Sequence, residues 1–142
     1  MQVEFFKHNI DDDAKEAILK VLETPYIAMG EVVQELETTF ANYLNVPYAL
    51  ALHTCTDALV LSLKAFNIGT GSEVITTPLT FVATANSIVS VGAKPVFVDV
   101  DPETGLIDLN EIEKYISPKT KAIIPVHLYG QMVDIKSLKE IA

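Results

Sequence analysis

Arginine is absent from the 142 residues, so all ten basic side chains are lysines, set against nineteen acidic ones. The net charge of −9 argues against a nucleic-acid partner, because phosphates need a cationic surface to replace their counterions. The missing guanidinium also removes the planar clamp that grips a carboxylate with two parallel hydrogen bonds. Either no substrate carboxylate is held that way by these residues, or the coding bias simply favours lysine. Cysteine is nearly as scarce. Cys55 stands alone, which excludes an internal disulfide and a Cys-rich zinc site and fits the reducing cytoplasm. No apolar run approaches the roughly 18 residues that cross a bilayer, so no membrane partner is expected. Met1 to Lys7 lacks the basic start and apolar core of a secretion signal. Internal repeats and low-complexity tracts are absent as well.

What is present is apolar. Such residues make up 49% of the chain, enough for the core of one domain. Asp11 to Leu22 reads as a helix that opens on three aspartates, where negative charge suits the helix dipole. Glu31 to Leu44 reads as a second, with Val32, Leu36, Phe40, Tyr43 and Leu44 on one face and Gly30 before it as a turn or cap residue. From Pro47 the pattern changes. Tyr48–His53, Glu73–Thr76, Pro95–Asp99 and Lys121–His127 read as short apolar strands. Between and after them, helices are expected from Asp57 to about Phe66, Phe81 to Val91, Asn110 to Ile116, and Ile135 to Ala142 behind Asp134. Alternating strands and helices predict an α/β fold, a mostly parallel sheet with helices on both faces. The expected division is a helical arm over residues 1–46, used for contacts with a partner subunit, and an α/β domain over 47–142. The chain stops in a helix with no following strand, so the sheet is expected to be incomplete, with an open edge.

Ligands of such folds bind at the carboxyl ends of the strands. Four groups of residues fall there. Thr54-Cys55-Thr56 precede a helix, where backbone N–H groups suit a phosphate; the plainer reading is an ordinary cap, with either threonine as the capping residue. Phe81 follows a strand and is either a ring that stacks on a flat ligand or a core phenylalanine. Asp99 and Asp101 are either an acid/base pair or turn residues. His127 is either a general acid/base or a structural histidine. His53 and Cys55 suggest a nucleophile pair, but no third group orients them. The three histidines show no metal-ligand spacing.

Each signal is weak alone; their order is not. Gly30-x-x-Val33-x-x-x-Glu37-x-x-Phe40-Ala41-x-Tyr43 is followed by Thr54-Cys-Thr-Asp-Ala-Leu59 and Gly71-Ser-Glu-Val-Ile75. Then come Pro78-x-Thr-Phe-Val-Ala-Thr-Ala85, Gly92-Ala-x-Pro-Val-Phe-Val-Asp-Val-Asp101, and Lys119-Thr-Lys-Ala-Ile-Ile-Pro-Val-His-Leu-Tyr-Gly130. From about Ile27 onward this series resembles the DegT/DnrJ/EryC1/StrS family of nucleotide-sugar aminotransferases. The resemblance implies the large domain of fold-type I enzymes dependent on pyridoxal 5′-phosphate, working as homodimers with sites at the subunit interface. It implies that Thr54, Cys55 and Thr56 bind the cofactor phosphate and that Phe81 stacks on its ring. Met29, Gly30, His127 and Tyr129 would lie near the nucleotide-sugar. Cys55 departs from the family's usual glycine or alanine and crowds the loop. The family's Schiff-base lysine and its ring-pairing aspartate are expected beyond Ala142, so no catalytic residue is assigned here and this chain alone is expected to be inactive. The alternatives are a non-catalytic or regulatory remnant, or a sugar dehydratase using the same cofactor.

Overall fold

The computed structural model describes residues 7–142. The chain divides into two units, Met1–Ala51 and Leu52–Ala142.

The first unit is helical. α1, Asp12–Leu22, is capped by the Asp11 carboxylate, which accepts the Ala14 N–H at 2.9 Å. Asp12 and Asp13 lie in its first turn and Lys20 in its last, each matched to the dipole. α2, Glu31–Leu44, has the predicted bounds, with Gly30 before it and Asn45 closing it in the left-handed region at φ 53°. Glycine at position 30 suits a close approach: a Cβ there would stand 3.0 Å from the Tyr26 carbonyl oxygen. Tyr48–His53, expected as a strand, forms none. An extended apolar segment becomes a strand only when a neighbouring backbone completes its hydrogen bonds. Here the Ala51 N–H goes instead to the Glu37 carboxylate at 2.8 Å.

The second unit is an α/β layer structure. Its elements are α3 (Cys55–Ala65), β1 (Glu73–Thr76), α4 (Ala83–Ser90), β2 (Lys94–Phe97), α5 (Leu109–Ile112, continued by a 3₁₀ turn Glu113–Tyr115), β3 (Thr120–Ile123) and α6 (Ile135–Ile141). The strands form a parallel sheet in the order β2-β1-β3. Pro95 is tolerated in β2 because, among the described residues, that strand has a neighbour on one side only. α4 begins at Ala83 rather than Phe81, which leaves Phe81 in the loop after β1.

β1 is buried on both faces, and its side chains alternate between two cores. Val74 packs with Leu63, Ile68, Ile88 and Ala93, beneath α3 and α4. Ile75 packs with Val98, Ile107, Ile112, Val133 and Leu138, beneath α5 and α6. The chain leaves β1 for β2 on one side, then returns across it to β3 on the other. Two crossovers in opposite directions but of one hand must place their helices on opposite faces, as the cores show.

The amino ends of the strands are held electrostatically. The Glu73 carboxylate accepts from the Ser117 hydroxyl at 2.7 Å and from Lys94 Nζ at 3.2 Å. The Ser117 hydrogen bond, reinforced by Lys94, holds the Glu73 pKa below its ordinary value. A depressed carboxylate pKa contributes stability above the ordinary glutamate range, lost as pH falls through the folded-state value. Glu73→Gln is therefore expected to be less stable than the parent at pH 7, with the gap narrowing in denaturant titrations as the pH falls below the ordinary glutamate range.

Candidate active site

β1 hands the chain to α4 on one face, while its neighbour β3 hands it to α6 on the other. Adjacent strands whose exits diverge in this way leave a crevice beyond their carboxyl ends. Three loops rim it: the one after β1 carrying Pro78 to Phe81, the one after β2 carrying Asp99 to Gly105, and the one after β3 carrying His127 to Val133. They converge at Gly105, where a Cβ would stand 3.5 Å from Leu79 Cδ2 and 3.8 Å from Leu128 Cδ2. The start of α3 belongs to the same edge. α3 ends at Ala65 and turns directly into the amino end of β1, so it runs antiparallel to the strand and opens at the carboxyl side.

At that opening Thr54 is the cap. Its hydroxyl accepts the Asp57 N–H at 3.0 Å and gives its own proton to Asp57 Oδ2 at 2.7 Å. His53 Nε2 lies 2.9 Å from the same carboxylate oxygen. Thr54 is followed three residues on by an acid, Asp57, whereas Thr56 is followed by Leu59. This reciprocal pair makes Thr54, not Thr56, the residue that opens the helix. It also engages the proton of Thr54, leaving the Thr56 hydroxyl and the first-turn N–H groups of Cys55 and Thr56, which have no carbonyl one turn back, as the donors for an anion. His53 turns to Asp57, not to the exposed Cys55, so the nucleophile pair is not assembled.

Phe81 is 78% exposed, which removes the core-phenylalanine alternative and leaves its ring face free. Asp99 and Asp101 serve turns. Asp99 Oδ1 accepts the Val100 N–H at 2.8 Å, and Asp101 Oδ1 accepts from Glu103 N, Thr104 N and the Thr104 hydroxyl at 2.9, 2.9 and 3.1 Å. Those bonds, chiefly from the Thr104 backbone, hold Asp101 below the usual carboxylate range. His127 Nδ1 accepts the Val133 N–H at 3.1 Å. Tyr129 is 83% exposed and sits in the left-handed region at φ 54°. Met29, in the helical unit, is 88% exposed at φ 55°. For side chains of this size that conformation costs about 1–2 kcal/mol each. Among the described residues no group of three or more His, Cys, Asp or Glu could hold a metal ion, and no helix is long and apolar enough to cross a membrane.

The sequence pattern of the DegT/DnrJ/EryC1/StrS aminotransferase family matches residues 8–142. The chain belongs to that family. Among its relatives, the spore coat polysaccharide biosynthesis protein SpsC of Bacillus subtilis is 43% identical over 141 residues, covering 97% of this chain and 36% of SpsC. The GDP-perosamine synthase of Caulobacter vibrioides is 43% identical over 134 residues, covering 94% of this chain and 36% of the synthase. The structure of Spr1654, a putative sugar aminotransferase from Streptococcus pneumoniae in its PLP form, superposes with a TM-score of 0.94 at 33% identity, over 99% of this chain and 36% of that one. The chain thus spans about a third of the length of the relatives it matches. The parallel sheet with helices on both faces is the fold these aminotransferases share.

Proposed function

We propose that the protein containing these residues transfers an amino group from glutamate or glutamine to a keto group of a nucleotide-linked sugar. Pyridoxal 5′-phosphate would be its cofactor and the homodimer its working form. The observation that carries the reading is the pairing, on one sheet edge, of an open helix start with an exposed aromatic ring.

The residues fit the cofactor in chemistry and in accessibility. The N–H groups of Cys55 and Thr56, the Thr56 hydroxyl and the dipole of α3 would hold the phosphate. Cys55, at a position where family members carry a smaller residue, is exposed, so its thiol is not packed into the core beneath the loop. Phe81 would cover one face of the pyridine ring and exclude water from it. Tyr129, from the β3 loop, would meet the nucleotide-sugar. When bound, the cofactor supplies an electron sink for the bond-breaking step.

A binding titration tests this. Thr56→Val in the whole protein removes a donor to a charged phosphate, about 1.5–3 kcal/mol. Affinity for pyridoxal 5′-phosphate should fall about 10–100-fold, with affinity for unphosphorylated pyridoxal nearly unchanged. An unaltered preference for the phosphate would sink the assignment of this loop.

A further inference from the structure

The loop after β3 is tied at three points. Gln131 N donates to the Leu128 carbonyl at 3.0 Å, closing a four-residue turn. Both central residues of that turn have positive φ, Tyr129 at 54° and Gly130 at 76°. This is the type I′ pattern, which favours Asn-Gly at those positions. Glycine suits the second, but a tyrosine at the first is strained and must be held there by its surroundings. Gln131 Nε2 donates to the Thr104 carbonyl at 2.9 Å, fastening the turn to the Asp101-braced β2 loop. Finally, the His127 ring takes the Val133 N–H on Nδ1. Val133 is itself buried, at 3% exposure, in the core with Ile75 and Val98.

We infer that His127 is a positioning residue: through Nδ1 it clasps the loop that displays Tyr129 to the substrate. The bond from Val133 joins the two ends of the loop, so the strained turn between them is spanned at its base. A neutral imidazole that accepts at Nδ1 carries its proton on Nε2, so the ring cannot also accept a proton at Nδ1 while the clasp is closed. The clasp stands on geometry alone. The display of Tyr129 to a nucleotide-sugar rests on the proposed function.

Two isosteres separate the roles. Asparagine places its carbonyl oxygen near the position of Nδ1, and glutamine places its amide near Nε2. In the full-length protein, amide hydrogen exchange at Val133 reports the clasp, and KM for the nucleotide-sugar reports the display. Expected for His127→Gln is a loss of Val133 protection of about tenfold with a similar rise in KM. His127→Asn should recover most of both, and Tyr129→Ala should raise KM while leaving Val133 protected. Equal Val133 protection in the two His127 variants would overturn the clasp. A lower KM for the glutamine variant than for the asparagine variant would place Nε2 on the substrate and overturn the positioning role. If Val133 protection follows the isosteres while KM responds to neither His127→Gln nor Tyr129→Ala, the clasp is upheld and the substrate-facing reading of Tyr129 is lost.

Discussion

Ile75→Ala is expected to destabilise the α/β unit by about 3–4 kcal/mol, within the range seen when a buried isoleucine is truncated. Ile75 lies on the middle strand with no exposed surface, and it joins residues from the β2 exit, α5, the β3 loop and α6 in one core. Removing three carbons there leaves a cavity that the flanking strands cannot fill, because their register is held by the ladders on both sides. Against a typical total of about 5–15 kcal/mol the loss is large. Urea unfolding of the two proteins measures it. Leu22→Ala, at a site 62% exposed, serves as the comparison and should cost within about 0.5 kcal/mol. A loss at Ile75 no larger than at Leu22 would contradict the two-core packing. Because Val133 shares that core, the β3 loop should also become more open to exchange in Ile75→Ala.

The 142-residue chain by itself is expected to show no amino transfer above background with pyridoxal 5′-phosphate, and no absorbance band of a lysine-bound cofactor near the visible edge. None of its ten basic residues lies in the three loops at the carboxyl edge. Lys94 and Lys121 are in β2 and β3 near their amino ends, and Lys119 lies just before β3. Lys64 and Lys114 sit at the last turns of α3 and of the α5 segment, and Lys139 near the end of α6, while Lys136 lies in the first turn of α6, just past the β3 loop. Loss of a nucleophilic or proton-transferring side chain costs about 10²–10⁴-fold in rate on its own. Spectra of the chain with cofactor, before and after borohydride, decide the matter. A stable reduced adduct on one lysine would refute the expectation.

Much of the fold is legible in the sequence. Helical spacing placed α2 and β-type apolarity placed β1 at their observed bounds. Spacing leaves both Thr54 and Thr56 as caps, and the bond from the Asp57 N–H to the Thr54 hydroxyl decides for Thr54. Tyr48–His53 failed because strandness belongs to a pair of segments, and one-dimensional patterning records only half of it. The site shows the same divide. The order of blocks along the chain was enough to identify the family and to nominate Thr54 to Thr56, Phe81, His127 and Tyr129. Exposure of Phe81 and the bond from Gln131 Nε2 to the Thr104 carbonyl were decided by tertiary structure alone. Residue type and spacing determine what a side chain can donate or accept. Which partner it meets depends on backbones brought together from distant parts of the chain, and only the folded packing sets those distances.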